Sequence, residues 1–162
     1  IQAGPIGGRN QTGNYKMNCR YNTEVLVKKI ELIAKNKNRI SLYNLDAIKL
    51  IKNNIRRTRR SLTFFDPPYF VKGKELYTNF YERIDHLELR DTIDKYMSKH
   101  KWILTYDFHE EIQNMYSSFE YFPYQLNYSA GNSKKGLEYI FLSQNISSSR
   151  ISEFLNIFDY SV

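Results

Sequence analysis

In SLTFFDPPYF, residues 61–70, an acid, two prolines and a tyrosine follow directly on a short apolar run. Each proline fixes its own φ and has no N–H to donate, and each pushes the residue before it towards an extended shape. Asp66 and Pro67 are therefore both restricted to one narrow conformation. The Asp66 carboxylate and the Pro67 carbonyl become pre-aimed hydrogen-bond acceptors beside the ring of Tyr69, with Pro68 between them. A strand ending in a proline turn with a surface tyrosine is the plain alternative. All four residues together, directly after an apolar strand, favour a functional site.

Two other acids stand at comparable places. Asp46 follows the segment RISLYN, residues 39–44, and Asp107 closes KWILTYD, residues 101–107. Asp46 also suits a helix N-cap, because its side chain can accept from a first-turn N–H. The three histidines, His86, His100 and His109, show no spacing that would make them metal ligands, so no metal site is expected.

Cations form the second kind of chemistry. The 162 residues carry a formal charge of +7, which points to an anionic partner, most simply nucleic acid. Residues 1–22 hold four of the seven glycines and read as loop. There Arg9, Lys16 and Arg20 are interleaved with Tyr15 and Tyr21, a mixture of cations for phosphates and rings for bases. RRTRR, residues 56–60, reads first as a solvated loop and second as a phosphate contact. One cysteine, Cys19, excludes a disulfide framework and fits a reducing cytoplasm. No apolar run reaches the roughly 18 residues of a spanning helix, so no membrane partner is expected.

The elements that must hold these residues follow from periodicity. Thr23 reads as an N-cap, with Val25, Leu26, Ile30 and Ile33 at helical spacing as far as Asn36. A strand is expected at 39–44, a helix at 46–53, and a strand at 62–65 buried on both faces. Asp85 reads as the cap of a helix reaching about Ser98, striped by Leu87, Leu89, Ile93 and Met97. A strand at 101–107 and a helix at 110–116 come next. YFPYQLNYS and LEYIFLSQ, joined by AGNSKKG, read as a hairpin. Residues from 147 onward read as a serine-rich joint and a short apolar helix or tail. The order predicts an α/β chain, mostly parallel, with an antiparallel hairpin at one edge. In such sheets ligands sit beyond the carboxyl ends of the strands.

DPPY after an apolar strand resembles the catalytic motif of amino-group DNA methyltransferases. With YTNFYERIDHLELRDTI, WILTYD, YNLDAI and the leading GPIGGRNQTGNYKMNCRYN, the chain is similar to the Dam-type adenine-N6 methyltransferases over most of residues 4–143. The resemblance implies part of a Rossmann-like methyltransferase sheet over residues 23–146, a share of the DNA target-recognition region in residues 1–22, and a tail at 147–162. It implies S-adenosylmethionine as cofactor and double-stranded DNA as substrate. An adenine N6 is a poor nucleophile because its lone pair is delocalised into the ring. Acceptors at Asp66 and the Pro67 carbonyl would localise that pair, while Tyr69 and Phe70 stack on the extruded base. By the same resemblance Asp46 and Ala47 lie near the cofactor's adenine. Tyr77, Asn79 and Phe80 would close over the base. Tyr15, Arg20 and Asn22 match a DNA-contacting region, and Arg9, Lys16, Lys134 and Lys135 would meet phosphates.

The Phe-x-Gly-x-Gly cofactor loop of this family is not in the chain. GPIGG, residues 4–8, follows no strand and matches a different family region. The strands at 39–44 and 62–65 would then each present an unpaired apolar edge. Such edges would recruit a separate N-terminal segment or a second copy of the chain, and the chain alone would bind the cofactor poorly. A non-catalytic DNA-binding remnant remains open as a second reading, and methylation of RNA or of a protein amide as a third.

Overall fold

The computed structural model describes residues 10, 12–19, 21–71, 73, 80–128 and 134–158, with the backbone alone at 127, 128 and 134. The chain divides into two compact units, Ile1–Asn44 and Leu45–Val162.

Among its described residues the first unit contains one α-helix, α1 (Thr23–Lys35), followed by a 3-10 turn at Lys37–Arg39. Its cap is Asn22, whose Oδ1 accepts the Val25 N–H at 3.1 Å, so Thr23 is the first helical residue and not the cap. No residue of α1 is buried; Val25, Ile30 and Ile33 of the expected apolar stripe lie exposed. The strand expected at 39–44 does not form. An extended apolar segment becomes a strand only when a neighbour supplies the ladder, and the first unit has no other strand among its described residues.

The second unit is a four-stranded sheet with helices on one face. Its main elements among the described residues are α2 (Ala47–Asn53), β1 (Leu62–Phe65), α3 (Arg83–Met97), β2 (Lys101–Asp107), α4 (Glu110–Met115), β3 (Glu120–Tyr128) and β4 (Lys134–Leu142). The strand order is β1-β2-β4-β3. β1 pairs parallel with β2, in the register Leu62 with Lys101 to Phe65 with Leu104. β4 runs against both β2 and β3. Only one of the three pairings is parallel, so the sheet is mixed and not mostly parallel as expected. The hairpin inserts its second strand beside β2, which places a reversed strand inside the sheet.

Period-two alternation in β2 sends Trp102, Leu104 and Tyr106 to one face, where they meet Ile51 of α2, Leu89, Ile93 and Met97 of α3, and Ile112 of α4. Burying these side chains is worth roughly 1.5–3 kcal/mol each. The α3 entry is a capping box between Glu82 and Asp85, so Asp85 occupies the third helical position and not the cap. The opposite face is covered over β3 and β4 by the tail. Ile151, Leu155 and Ile157 pack on Tyr124, Ile140 and Leu142. The tail makes a 3-10 turn at Ile151–Glu153 and then pairs with β3: Gln125 N–H donates to Asn156 O, and Phe158 N–H donates to Pro123 O, both at 2.8 Å. Pro123 is tolerated because its missing donor sits on this outer edge. The tail does not cover β1. Leu62 and Phe64 are each 61% exposed there, so β1 is buried on one face and not on two.

Candidate functional site at the carboxyl ends of the strands

β1 stops at Phe65 because the two prolines cannot continue a ladder. Asp66 is exposed, Pro67 is buried, and Pro68, Tyr69 and Phe70 are half-buried. The turn is tied to the neighbouring strand by Asp107, the last residue of β2. Asp107 Oδ1 accepts the Phe70 N–H at 2.8 Å, and Oδ2 accepts the Val71 N–H at 3.0 Å. These two bonds to an ionised acceptor belong to the stronger class. They satisfy donors that the proline turn would otherwise leave open.

Tyr69 and Phe70 diverge to opposite faces of the sheet. The Tyr69 hydroxyl donates to Glu138 Oε1 at 3.0 Å, and the Tyr124 hydroxyl donates to Glu138 Oε2 at 2.6 Å. Glu138 is buried and lies in register with Asp107 across the β2–β4 pairing. The two carboxylates therefore belong to paired residues of neighbouring strands, and each accepts from two uncharged donors. Phe70 instead lies between His86 and His109, with ring centroids 5.1 and 4.9 Å away. Gly73 lies next to this turn: a Cβ placed there would meet Phe80 at 3.6 Å and Pro68 at 3.8 Å.

The Asp66 carboxylate, by contrast, is lightly held. Thr105 Oγ1 approaches its Oδ1 at 3.4 Å. Asp66 therefore keeps acceptor capacity at the open end of the sheet, while Asp107 spends its own on the backbone.

Asp46 caps α2, its Oδ1 accepting the Lys49 N–H at 3.1 Å. It also faces a hollow of about 370 Å³ lined with Ile48, Lys49, Lys52, Tyr81, Asp85 and Glu88. Burial first, and then the charges of Asp46, Asp85 and Glu88, push the Tyr81 hydroxyl above its ordinary pKa, so it stays a donor. Ala47 packs against the main core.

Of the expected nucleic-acid contacts, Tyr15, Lys16 and Asn22 lie exposed in the first unit, where the Asn22 side chain is engaged as the α1 cap. Lys135 is exposed at the start of β4, on the same end of the sheet as Asp66. Arg9, Arg20, Tyr77 and Asn79 lie outside the described residues, as does the Lys134 side chain.

The roles of three residues were not legible in the sequence. Asp107 is the tether of the turn and not a free acceptor. Glu138 betrays itself only as a lone acid inside the apolar run LEYIFL. His86, expected near a helix start, is fully buried, its Nδ1 2.6 Å from the Tyr106 hydroxyl. Burial holds its pKa below the usual histidine value. The same desolvation pushes the Tyr106 and Tyr116 hydroxyls upward.

Comparison with models of protein families finds no match, and comparison with curated protein sequences finds none. Among the described residues no helix is long and apolar enough to cross a membrane.

Proposed function

We propose that the chain is the catalytic C-terminal portion of a site-specific DNA adenine-N6 methyltransferase. The observation that carries the reading is the Asp66–Tyr69 turn. It stands at the carboxyl end of β1, its following N–H groups are bound by Asp107, and its own carboxylate is exposed. Asp66 and the Pro67 carbonyl would each accept one N–H of the adenine amine. Tyr69, steadied through Glu138, would stack on the extruded ring. S-adenosylmethionine supplies an electrophilic methyl group. The aligned N6 would take up that methyl as the sulfur–carbon bond breaks and would lose a proton to solvent. Positioning of the amine provides much of the acceleration.

The hollow beside Asp46 fits the nucleoside part of this cofactor. Its rim offers the acceptors Asp46, Asp85 and Glu88 for amine and ribose hydroxyl donors, and the Tyr81 hydroxyl as a donor for a ring nitrogen. β1 is an outer strand of the sheet, and its open backbone edge supports pairing with a further segment carrying the cofactor loop, or with a second copy, either of which could also cover Leu62 and Phe64.

The test is transfer of a radiolabelled methyl group to duplex DNA. The chain would be assayed alone and with the N-terminal cofactor-loop segment of a Dam-type enzyme. Activity in either arm that falls at least about a thousandfold in Asp66→Ala supports the reading. Transfer that survives Asp66→Ala refutes the role of that residue. DNA binding without transfer in both arms favours the non-catalytic remnant.

A further inference from the structure

At the other end of the sheet, where β1 and β2 begin, the structure forms an open hollow of about 900 Å³. It is lined by Arg56, Arg57, Arg59 and Arg60 ahead of β1 and by Lys99 and Lys101 at the start of β2. No acid is in its lining, and among the described residues none of these six cations forms an ion pair with a carboxylate. We propose that this hollow is a second nucleic-acid surface, which binds the phosphodiester backbone without reading its sequence.

Four features of the hollow support this. The first is concentration of charge: six cations with no counter-charge repel one another, an arrangement that an anionic partner relieves. The second is preorganisation. The Thr58 hydroxyl donates to Ile55 O at 2.7 Å and lies 2.6 Å from Ser61 Oγ, which closes the arginine loop on itself. The facing loop is held by Asn145, whose Nδ2 donates to Ser98 O at 3.0 Å. Arg60 sits at φ 55°, a left-handed backbone that costs a non-glycine residue about 1 kcal/mol or more. The arginine run is thus a folded shape and not a loose solvated loop.

The third feature is size and composition. The hollow is too wide and too open to enclose a single phosphate. Arginine predominates, and its planar fork suits phosphodiester oxygens in pairs. Besides its cations the lining holds Thr58, Ser61, Leu62, half-buried His100 and Asn145; the two hydroxyls and the Asn145 amide are already engaged within the protein, so the free donors are chiefly cations suited to phosphate oxygens. The fourth is location. The seven residues of β2 at roughly 3.3 Å each put this surface about 20 Å from Asp107, at the opposite end of the strand. It therefore contacts a different stretch of nucleic acid from one presented to Asp66. The inference does not depend on methyl transfer.

The test measures binding of a fluorescent 20-base-pair duplex of arbitrary sequence by anisotropy over a series of NaCl concentrations. Changing Arg57, Arg59, Lys99 and Lys101 together to alanine should weaken binding at least about tenfold. It should also flatten the log K against log salt slope by about three to four. Arg59→Glu alone, a single exposed reversal, should flatten it by about one and keeps the result readable if the fourfold variant folds poorly. The charge-matched control replaces Lys28, Lys29, Lys35 and Lys37 of the first unit with alanine and should change the slope much less. The proposal is overturned if the wild-type chain does not bind the duplex, or if the hollow variants bind with unchanged affinity and slope. It is equally overturned if the control loses as much, or if inorganic tripolyphosphate binds the hollow more tightly than the duplex does.

Discussion

The two ends of the same four strands are built in opposite ways. At the carboxyl end the acids Asp66, Asp107 and Glu138 are set among tyrosines and backbone N–H groups, and two of the three are fully occupied. At the amino end six cations stand exposed with no carboxylate partner among the described residues. One end invests its polar groups in internal hydrogen bonds, and the other leaves them for solvent or an anion. Stability should therefore depend steeply on the carboxyl end and hardly at all on the amino end, while affinity for polyanions should show the reverse dependence.

The largest effect should come from Asp107→Ala. It removes both acceptors of the Phe70 and Val71 N–H groups and should cost about 2–4 kcal/mol in urea unfolding. Asp107→Asn, which keeps one acceptor oxygen, should recover part of that loss. No difference between the two variants would show that the tether is not what holds the turn. Next comes Glu138→Ala, which removes the buried acceptor shared by Tyr69 and Tyr124 and should cost about 1–3 kcal/mol. Its near-ultraviolet tyrosine circular dichroism should change as well.

Acid should separate the two ends further. The folded-state pKa of His86 lies below its ordinary 6.5, because burial disfavours the imidazolium. Near pH 6.5 the unfolded chain binds more protons there than the folded one. The stability that His86 contributes is thus fully present above about pH 6.5 and is lost as the pH falls towards the lowered value. His86→Gln should flatten that part of the urea-midpoint profile. A profile unchanged by the substitution would place the acid sensitivity elsewhere. The smallest effect belongs to the amino end: Arg59→Ala should shift stability by less than about 0.5 kcal/mol. A larger loss would mean that the basic loop is part of the folding core.

How far the sequence could be read depended on whether a feature was local. β2 was legible from 101 to 107 because alternation and its bounding acid both lie within the segment, and β1 was legible from 62 to 65 because prolines end it. The helix stripe of Leu89, Ile93 and Met97 found its core. Residues 39–44 misled because β propensity describes a surface that fits a sheet and cannot provide the sheet. Asp66 was recognisable as the exposed acid of a stiff turn, but Asp107 looked equivalent to it. Only the packing of β2 beside β1 brings Asp107 to the Phe70 and Val71 N–H groups, across 37 and 36 residues of chain. RRTRR read as a loop because nothing local reveals that Lys99 and Lys101 come to face it.

By itself, the order of residues determined the stiffened turn, the excess of positive charge and the Asp46 cap of α2, since prolines, net charge and a first-turn acceptor act within a few residues. The tertiary structure decided which acid stays open and which becomes a tether, that the hairpin inserts a reversed strand, and that cations separated by some forty positions share one hollow. Those outcomes depend on which strands find ladder partners and which faces find cover, and hydrogen bonding and burial across the sheet settle both only when the whole unit assembles.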